Sequence, residues 1–278
     1  MAGTEQESGS EQASTIPVAL SIAGSDSGGG AGIQADLKAF AACGVHGTTA
    51  ITAITAQNTV AVEAVEAVSP QMIAAQVEAV AADLGVDAVK VGMLGNEATI
   101  EAVCLALDST GGAPVVLDPV MIAESGAALL DPGARDSLVS ELLPRAAVVT
   151  PNIPEARALT GLGESADQEE LARAVLALGP GAVVVTGGHS DEMLDLLISG
   201  DSVIRIEGEV HPGGASHGSG CTHSSALAAG LARGLGLEAA ARLAREVASK
   251  AVGQGQRGLG SGAGPVDALG LAGGRGIR

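Results

Sequence analysis

Short apolar segments alternate with longer amphipathic segments along almost the whole chain. The short segments are continuous runs of Val, Ile, Leu and Ala, which are typical of parallel strands buried on both faces of a sheet. The longer segments repeat their apolar positions at helical spacing. The pattern therefore predicts an α/β fold, a three-layer α/β/α sandwich around a mostly parallel central sheet.

The predicted strands are 18–23, 48–56, 88–91, 115–117, 147–149, 182–185, 193–199 and 202–206. The predicted helices include 32–42, 70–84, 97–107, 132–142, 153–159, 168–178, 220–234 and 237–254. We expect one domain at 16–271, between an acidic, disordered tail at 1–15 and a short tail at 272–278.

Two segments depart from the parallel pattern. Residues 48–68 alternate Thr or Ala with Ile or Val, and we expect a ribbon that projects from the sheet and acts as a small β lid over a ligand. Residues 193–210 predict a hairpin that turns at Gly200 and Asp201. In a doubly wound sheet, ligands bind at the carboxyl ends of the strands, so candidate chemistry should follow strands directly.

Charge and cysteine content limit the possible partners. A formal net charge of −18 argues against nucleic acid or an anionic membrane as a partner, since both would be repelled. No apolar run is long enough to span a membrane, and residues 1–15 lack the apolar segment of a secretory signal. The three cysteines are too widely spaced for a disulfide framework and suit a reducing cytoplasm. Cys43 and Cys104 lie in apolar helical stretches and are predicted to be core residues.

The segment GGASHGSGCTHSSALA at 213–228 is a glycine/serine loop that runs directly into a helix. The first N–H groups of a helix point outward without partners, and glycine lets them approach an anion closely. Gly218, Ser219, Gly220 and Cys221 are therefore candidates for a phosphate cradle with a reactive thiol. A glycine turn with a buried, inert cysteine is locally as good an interpretation.

Polar residues follow the other predicted strands. The loop at 24–32, GSDSGGGAG, lacks the GxGxxG spacing of a dinucleotide site, and we favour a substrate site there. Asp118 follows a buried strand, where a carboxylate must be paired or bound to a cation. Thr186 and its following glycines would suit a nucleotide phosphate or form a plain loop.

Asn152 and Glu155 are three residues apart across a helix start. They would suit a Mg²⁺ site, which usually takes few protein groups, waters and phosphates. Locally, a helix capping box is the more frequent meaning of this spacing. His217 and His223 flank Cys221 and raise a Cys–His hydrolase, which we disfavour because residues two apart on a helix do not face each other.

Together these segments resemble the hydroxymethylpyrimidine/phosphomethylpyrimidine kinases of thiamine biosynthesis, in the ribokinase-like superfamily. The resemblance covers 16–266 and rests on the motifs AGSDSGGGAGIQADLKAF, ITAQNT, KVGMLG, LDPVM, TPNIPEA, TGGH, HGSGCT and GAGPV. It implies phosphorylation of a pyrimidine alcohol and then of its monophosphate by ATP with Mg²⁺, in a cytoplasmic enzyme that forms a homodimer.

The resemblance also implies roles for individual residues. The implied pyrimidine contacts are Gly24, Asp26, Ala31, Gln57, Met93 and Val120. The implied nucleotide neighbours are Asn152, Thr186 and Gly188, and the implied metal site is formed by Asp118, Asn152 and Glu155. Gly218, Ser219 and Gly220 would form the anion hole. Cys221 would be the base, with a thiol pKa lowered by the helix N-terminus.

The chain also departs from the family pattern. It lacks the proline that commonly follows the aspartate of the first loop, and it has Thr186 and Ser261 where lysine is common. These changes leave the nucleotide contacts open. Because a fold fixes reaction class better than substrate, a pyridoxal kinase is the nearest alternative and a non-catalytic pyrimidine sensor a more distant one.

Overall fold

A computed structural model describes residues 16–187 and 193–273. Within these ranges nine strands form one sheet, in the order β3-β2-β1-β4-β5-β6-β7-β8-β9. The strands from β2 to β7 run parallel along this order, while β3, at one edge, and β8 next to β7 run antiparallel to their neighbours. The strands are Val18–Ser25 (β1), His46–Gln57 (β2), Val62–Ala67 (β3), Ala88–Val91 (β4), Val115–Leu117 (β5), Val148–Val149 (β6), Val183–Val185 (β7), Leu194–Ser199 (β8) and Ser202–Glu207 (β9).

Helices cover both faces of the sheet, which confirms the predicted sandwich. They are Gly32–Ala42 (α1), Pro70–Asp83 (α2), Glu97–Ala106 (α3), Ala134–Ser137 (α4), Ile153–Thr160 (α5), Gln168–Leu176 (α6), Ser219–Ala232 (α7) and Leu237–Gly253 (α8). Helices α2 to α6 pack on one face, and α1, α7 and α8 pack on the other. Cys43 and Cys104 are buried in these cores, as predicted.

Each buried strand contributes side chains to both cores. In β5, Val115 and Leu117 enter the core under α2 to α6, while Val116 enters the core under α1, α7 and α8. Val183, Val184 and Val185 of β7 alternate in the same way. Because successive strand side chains point to opposite faces, a strand covered on both sides must be apolar throughout. This is why the strands appear in the sequence as unbroken apolar runs.

The predicted helix at 132–142 is the element that differs most from expectation. Only Ala134–Ser137 is α-helical, and the chain then forms a wider π-helical turn at Leu138–Leu142 and a 3₁₀ turn at Leu143–Arg145. Pro144 lies in that last turn and has no N–H to donate to the carbonyl four residues earlier. Regular α-helical bonding therefore cannot continue through this segment.

The predicted ribbon at 48–68 is the β2–β3 hairpin, and it projects less than expected. The first part of β2 pairs with β1 from His46 onward, so it belongs to the sheet. Only its last part, from Ala53, pairs with β3, most of which is exposed at the sheet edge. The hairpin at 193–210 turns at Gly200 and Asp201, as predicted. Closure of the β2–β3 hairpin as a lid stays a prediction.

A buried ion pair joins the middle of the sheet to helix α1. The Nζ of Lys90 in β4 lies 2.9 and 3.1 Å from the carboxylate oxygens of Asp36 in α1, and both residues are fully buried. The hydroxyl of Ser21 in β1 donates to Asp36 Oδ2 at 2.6 Å, and that of Ser225 in α7 donates to Oδ1 at 2.7 Å. Burial alone would lower the pKa of Lys90, but Asp36, Cys221 and Asp118 offset this and raise it above its ordinary value. The lysine is therefore charged.

No helix in the described part of the chain is long and apolar enough to cross a membrane. The predicted tail at 1–15 and most of that at 272–278 lie outside the described residues, and the single-domain boundaries stay predictions.

We expect Lys90→Ala to lower the free energy of unfolding by ~3–5 kcal/mol, because it leaves the Asp36 carboxylate buried without its cation. Urea denaturation at pH 7 measures this change. The control is Lys250→Ala near the end of α8, where the lysine is exposed and the change should stay within ~0.5 kcal/mol. Equal effects from the two substitutions would contradict a stabilising role of the buried Lys90–Asp36 ion pair.

Candidate active site

The carboxyl ends of the parallel strands meet at one edge of the sheet, next to the first turn of α7. The N–H of Asp118 donates to Val91 O at 2.8 Å, and that of Thr150 donates to Leu117 O at 2.9 Å. Asn152 and Thr186 then form a parallel bridge beyond β6 and β7. The strand ends thus bring together most of the residues that the sequence singled out.

The glycine-rich loop after β1 is organised by the carboxylate of Asp26. This carboxylate accepts the N–H groups of Gly28 at 2.8 Å, Gly30 at 3.0 Å and Ala31 at 2.8 Å. It also pairs with Nε2 of His217 at 2.9 Å. Burial alone would raise the pKa of Asp26, but these hydrogen bonds hold it below its ordinary value. Asp26 shapes the loop from within, and a direct contact with substrate stays a prediction.

The glycine-rich loop and the loop before α7 are packed backbone against backbone. Gly218 has a φ of +84°, and a Cβ at this position would lie 1.8 Å from the carbonyl oxygen of Gly30. Both the left-handed backbone and the close approach require glycine. The predicted anion hole, formed by Gly218, Ser219, Gly220 and Cys221, therefore faces the predicted substrate loop directly.

Cys221 lies in the first turn of α7, and its sulfur accepts a hydrogen bond from the N–H of Gly32. The expected lowering of the thiol pKa is wrong. Burial raises the pKa to about 12, and Asp36 and Asp118 add to the rise, which outweighs the favourable charge of Lys90. The helix N-terminus acts against this desolvation but does not overcome it.

Asp118 lies at the end of β5, almost fully buried between Lys90 and α7. Its Oδ2 accepts the hydroxyl of Ser224 at 2.9 Å and lies 3.9 Å from Nζ of Lys90. Burial raises the pKa of Asp118 even though Lys90 and Ser224 oppose the rise. The carboxylate is thus paired, as its position after a buried strand predicted, but its charge is only partly compensated.

Asn152 and Glu155 form the capping box that their spacing favoured. Asn152 Oδ1 accepts the N–H of Glu155 at 2.8 Å, and Glu155 Oε2 accepts the N–H of Asn152 at 2.9 Å. Burial, and then the charge of Asp118, raise the pKa of Glu155 to about 8. Glu155 and Asp118 are therefore close enough to destabilise each other's charge. The capping and metal interpretations are compatible, since the carboxylate of Glu155 keeps a second oxygen.

The acidic pair fits Mg²⁺ in donor chemistry, because two incompletely compensated carboxylates would be stabilised by a hard cation. The described residues contain no group of three or more His, Cys, Asp or Glu side chains able to hold a metal alone. A cation at Asp118 and Glu155 would therefore take its remaining ligands from water and phosphates. This agrees with the sparse protein ligand set that Mg²⁺ commonly has.

The predicted pyrimidine contacts surround the glycine-rich loop. A Cβ on Gly24 would lie 3.0 Å from the sulfur of Met93, so these two residues are neighbours. Gln57, at the end of β2, exchanges backbone hydrogen bonds with the hydroxyl of Ser27 at 2.7 and 2.8 Å. Val120 follows Asp118 and is half-buried. Contact of these residues and Ala31 with a pyrimidine stays a prediction.

The nucleotide side is described only in part, because Gly188 lies outside the described residues. Thr186 is present beside Asn152. The neighbouring Gly187 donates its N–H to Oδ1 of Asp195 at 3.1 Å. Oδ2 of the same carboxylate pairs with Nε2 of His223 at 3.0 Å. His223 is thus hydrogen-bonded to Asp195 and His217 to Asp26. Because neither ring pairs with Cys221 in these contacts, the support for a Cys–His hydrolase is removed.

Comparison with known proteins agrees with this geometry. The family model described as phosphomethylpyrimidine kinase matches residues 26–267. The chain belongs to the phosphomethylpyrimidine kinase family. The hydroxymethylpyrimidine/phosphomethylpyrimidine kinase of Rhizobium meliloti is 50% identical over 255 residues, which are 90% of this chain and 96% of that protein.

Two solved structures are also similar. An ADP complex of Bacillus subtilis pyridoxal kinase has a TM-score of 0.84 at 36% identity and covers 92% of this chain and 98% of that one. A phosphomethylpyrimidine kinase from Clostridium difficile has a TM-score of 0.74 at 40% identity and covers 84% of this chain and 99% of that one. The ribokinase-like fold is thereby confirmed.

The phosphomethylpyrimidine kinase motifs did not identify every residue that shapes the site. The motifs assign no role to Lys90, Asp36, Asp195 or Glu124. A signal for the first pair was present, since a lysine inside a valine-rich strand must find a buried anion. Asp36 lies three residues after Ile33 and four before Phe40, on the apolar face of α1.

We expect the thiol of Cys221 to react slowly with iodoacetamide at neutral pH, because its pKa is about 12 and the thiolate is the reactive form. The alkylation rate should rise about tenfold per pH unit between pH 7 and 10. Peptide mass spectrometry follows Cys221 separately from the buried Cys43 and Cys104. A rate that levels off below pH 8 would instead support a lowered thiol pKa.

Proposed function

We propose that the chain transfers the γ-phosphoryl group of ATP to the hydroxymethyl group of a hydroxymethylpyrimidine, and then a second phosphoryl group to the monophosphate, in thiamine biosynthesis. The observation that carries this proposal is the backbone cradle at Gly218–Cys221, pressed against the substrate loop through Gly30. The N–H groups of a helix start favour negative charge there, next to where an alcohol would lie. This arrangement suits an in-line phosphoryl transfer.

In this proposal the glycine-rich loop, Gln57, Met93 and Val120 hold the pyrimidine ring. The amide of Gln57 supplies both a donor and an acceptor, which a pyrimidine with an amino group needs. The N–H groups of Gly218, Gly220 and Cys221 stabilise the charge of the transferring phosphoryl group. The N–H of Ser219, which the sequence also assigned to the anion hole, donates instead to Ser216 O at 2.9 Å. Asp118 and Glu155 would hold Mg²⁺, which when bound would neutralise charge on the nucleotide phosphates. Thr186 and Gly188 would border the nucleotide.

Cys221 is the proposed acceptor of the alcohol proton. The alcohol oxygen forms a bond to the γ-phosphorus, the bond to the ADP oxygen breaks, and the proton passes to the cysteine sulfur. With a thiol pKa of about 12, this step requires the thiolate, which Lys90 favours and Asp36 and Asp118 oppose. The turnover number should therefore increase as the pH rises through the neutral range.

Pyridoxal phosphorylation is the second candidate, and the similarity to the B. subtilis pyridoxal kinase structure favours it. Identity is lower there, at 36%, than the 50% shared with the R. meliloti pyrimidine kinase. The pyrimidine is therefore the better-supported substrate. A cytoplasmic location suits an ATP-dependent enzyme with free cysteines, and a homodimer remains part of the proposal.

ADP release over a panel of pyrimidine and pyridine alcohols tests the proposed function. We expect a higher kcat/KM for hydroxymethylpyrimidine than for pyridoxal, and no ADP release after Mg²⁺ is removed with EDTA. The reverse preference would identify a pyridoxal kinase. Thermal stabilisation by the pyrimidine without ADP release would indicate a non-catalytic sensor.

We expect Cys221→Ala to lower kcat by ~10²–10⁴-fold, the usual effect of losing a positioned base, with little change in the KM for ATP. Cys221→Asp should restore part of the activity because it supplies another proton acceptor. The matched control is Cys104→Ala, which removes a buried thiol on α3. An unchanged kcat in Cys221→Ala at saturating substrate would show that Cys221 is not the base.

A further inference from the structure

Three loops meet at the imidazole of His217. Its Nε2 lies 2.9 Å from Asp26 Oδ2 in the glycine-rich loop, and its Nδ1 lies 3.5 Å from Glu124 Oε2 in the loop after β5. His217 itself belongs to the loop that leads into α7, directly before Gly218. The residue is only 8% exposed. One buried side chain therefore connects the proposed substrate loop, the proposed anion hole and a third loop.

The imidazole of His217 packs directly on the backbone of the glycine-rich loop. A Cβ on Gly30 would lie 2.1 Å from Cδ2 of the imidazole, so the ring rests against bare backbone. The backbone of His217 is fixed from the opposite side, since its N–H donates to Gly264 O at 3.3 Å and its carbonyl accepts the N–H of Val266 at 3.0 Å. The backbone of His217 is thus anchored to the segment at residues 264–266, and its side chain reaches the glycine-rich loop and the loop after β5.

The third loop is held at two adjacent positions. Glu124 pairs with the His217 ring through Oε2, and its Oε1 accepts the hydroxyl of Ser216. Ser216 and His217 immediately precede the proposed anion hole. Glu124 therefore contacts the loop before α7 at both residues. We call the contacts of His217 with Asp26 and Glu124 the clamp.

We propose that His217 is a positioning residue whose imidazolium couples the pyrimidine loop to the phosphate-binding turn of α7, with Glu124 as its second anchor. This inference rests on the proposed function for the identity of the two ligands. Its consequence is that the pyrimidine and the phosphate cradle keep a fixed position relative to each other. A small misplacement of reacting groups can reduce a rate by up to ~10²-fold, so this relative position affects kcat as well as KM.

The charges around the ring support an imidazolium at working pH. The hydrogen bond to Asp26, and then the one to Glu124, raise the pKa of His217 to about 9 against the effect of burial. Asp26 faces the ring from the glycine-rich loop and Glu124 from the loop after β5, while residues 264 and 266 contribute backbone groups. Lys38 of α1 is directed to Gly29 O at 2.6 Å in the same glycine-rich loop.

The direction of the pH effect follows from these shifts. A histidine with a raised folded-state pKa stabilises the fold fully below its unfolded value and loses this contribution as the pH rises through the folded value. The coupling should therefore be intact at neutral pH and should be lost as the pH rises through about 9. Asp26, whose pKa is lowered, keeps its charge over this whole interval.

NMR titration of the imidazole signals tests the clamp independently of activity. Among the five histidines, the signal that disappears in His217→Gln should titrate near pH 9 in the wild-type protein. Glu124→Gln should move this titration to lower pH by removing one of the two anchors. A midpoint near 6.5 in the wild-type protein, or no shift in Glu124→Gln, would overturn the clamp even if the chain is a pyrimidine kinase.

Steady-state kinetics test the coupling. We expect His217→Ala to raise the KM for hydroxymethylpyrimidine and to lower kcat by about tenfold or more each, with a smaller change in the KM for ATP. In the wild-type enzyme the KM for the pyrimidine should rise above pH 9. In His217→Gln, which keeps one donor without the charge, this KM should be intermediate and independent of pH across that range.

His211→Gln is the matched control, because the ring of His211 pairs with Ser249 Oγ of α8 at 2.8 Å, whereas the ring of His217 pairs with Asp26. It should leave kcat and both KM values unchanged. Equal KM values for wild type and His217→Ala, or a uniform loss of activity that tracks a lower melting temperature, would overturn the coupling. If the wild-type enzyme phosphorylates no pyrimidine while the NMR titrations behave as expected, the proposed function fails and the clamp stands.

Discussion

The buried pair of Lys90 and Asp36 is the interaction on which the rest of the site depends. It joins the central strand β4 to helix α1 on the face that also carries α7, and Ser21 and Ser225 complete the hydrogen bonds of the carboxylate. A charge this deep is tolerated only when its partner is fixed and its remaining polar atoms are satisfied. The same lysine lies 3.9 Å from Asp118 and lowers the pKa of Cys221. A structural ion pair thus also sets the electrostatic potential beneath the proposed phosphate cradle.

A second constraint is the contact between two backbone loops. Gly218 approaches the carbonyl of Gly30 so closely that no side chain fits, and Asp26 and His217 hold the loops from either side of this contact. Substrate and phosphoryl group would therefore be positioned by one rigid unit rather than by two independent loops. The hairpin β2–β3 joins this unit at its rim, where the hydroxyl of Ser27 bonds to the backbone of Gln57. The N–H of Ser261 donates to Thr59 Oγ1 at 3.2 Å, so Ser261 borders the same rim.

The strands and helices could be predicted from the sequence, because strands covered on both faces must be apolar and helices must be amphipathic. Most predicted elements agree with the structure to within two residues, and α1 agrees at both ends. The capping box at Asn152 and Glu155 was also predictable, since it depends on residues three apart. The distorted helix near Pro144 was not, because the π-helical turn reflects packing as well as the missing N–H. The partners of Asp26, Lys90 and His223 lie 191, 54 and 28 positions away, and such distances leave no periodic signal.

The pKa of Cys221 shows why local reasoning was wrong at the point that matters most for the chemistry. A cysteine in the first turn of a helix has a lowered pKa when solvent reaches it, since the helix then supplies charge without much desolvation. Here burial of the sulfur in a half-buried residue favours the neutral thiol, and the charges of Asp36 and Asp118 add to this effect. Glu155 experiences the same conditions, and its pKa rises to about 8. Asp118 and Glu155 thus carry negative charge that nearby cations compensate incompletely, and Lys90 supplies only part of the compensating positive charge. In the proposed mechanism, cation binding at Asp118 and Glu155 and proton acceptance by Cys221 would therefore be linked, because a charge that stabilises the carboxylates also reduces their repulsion of a thiolate.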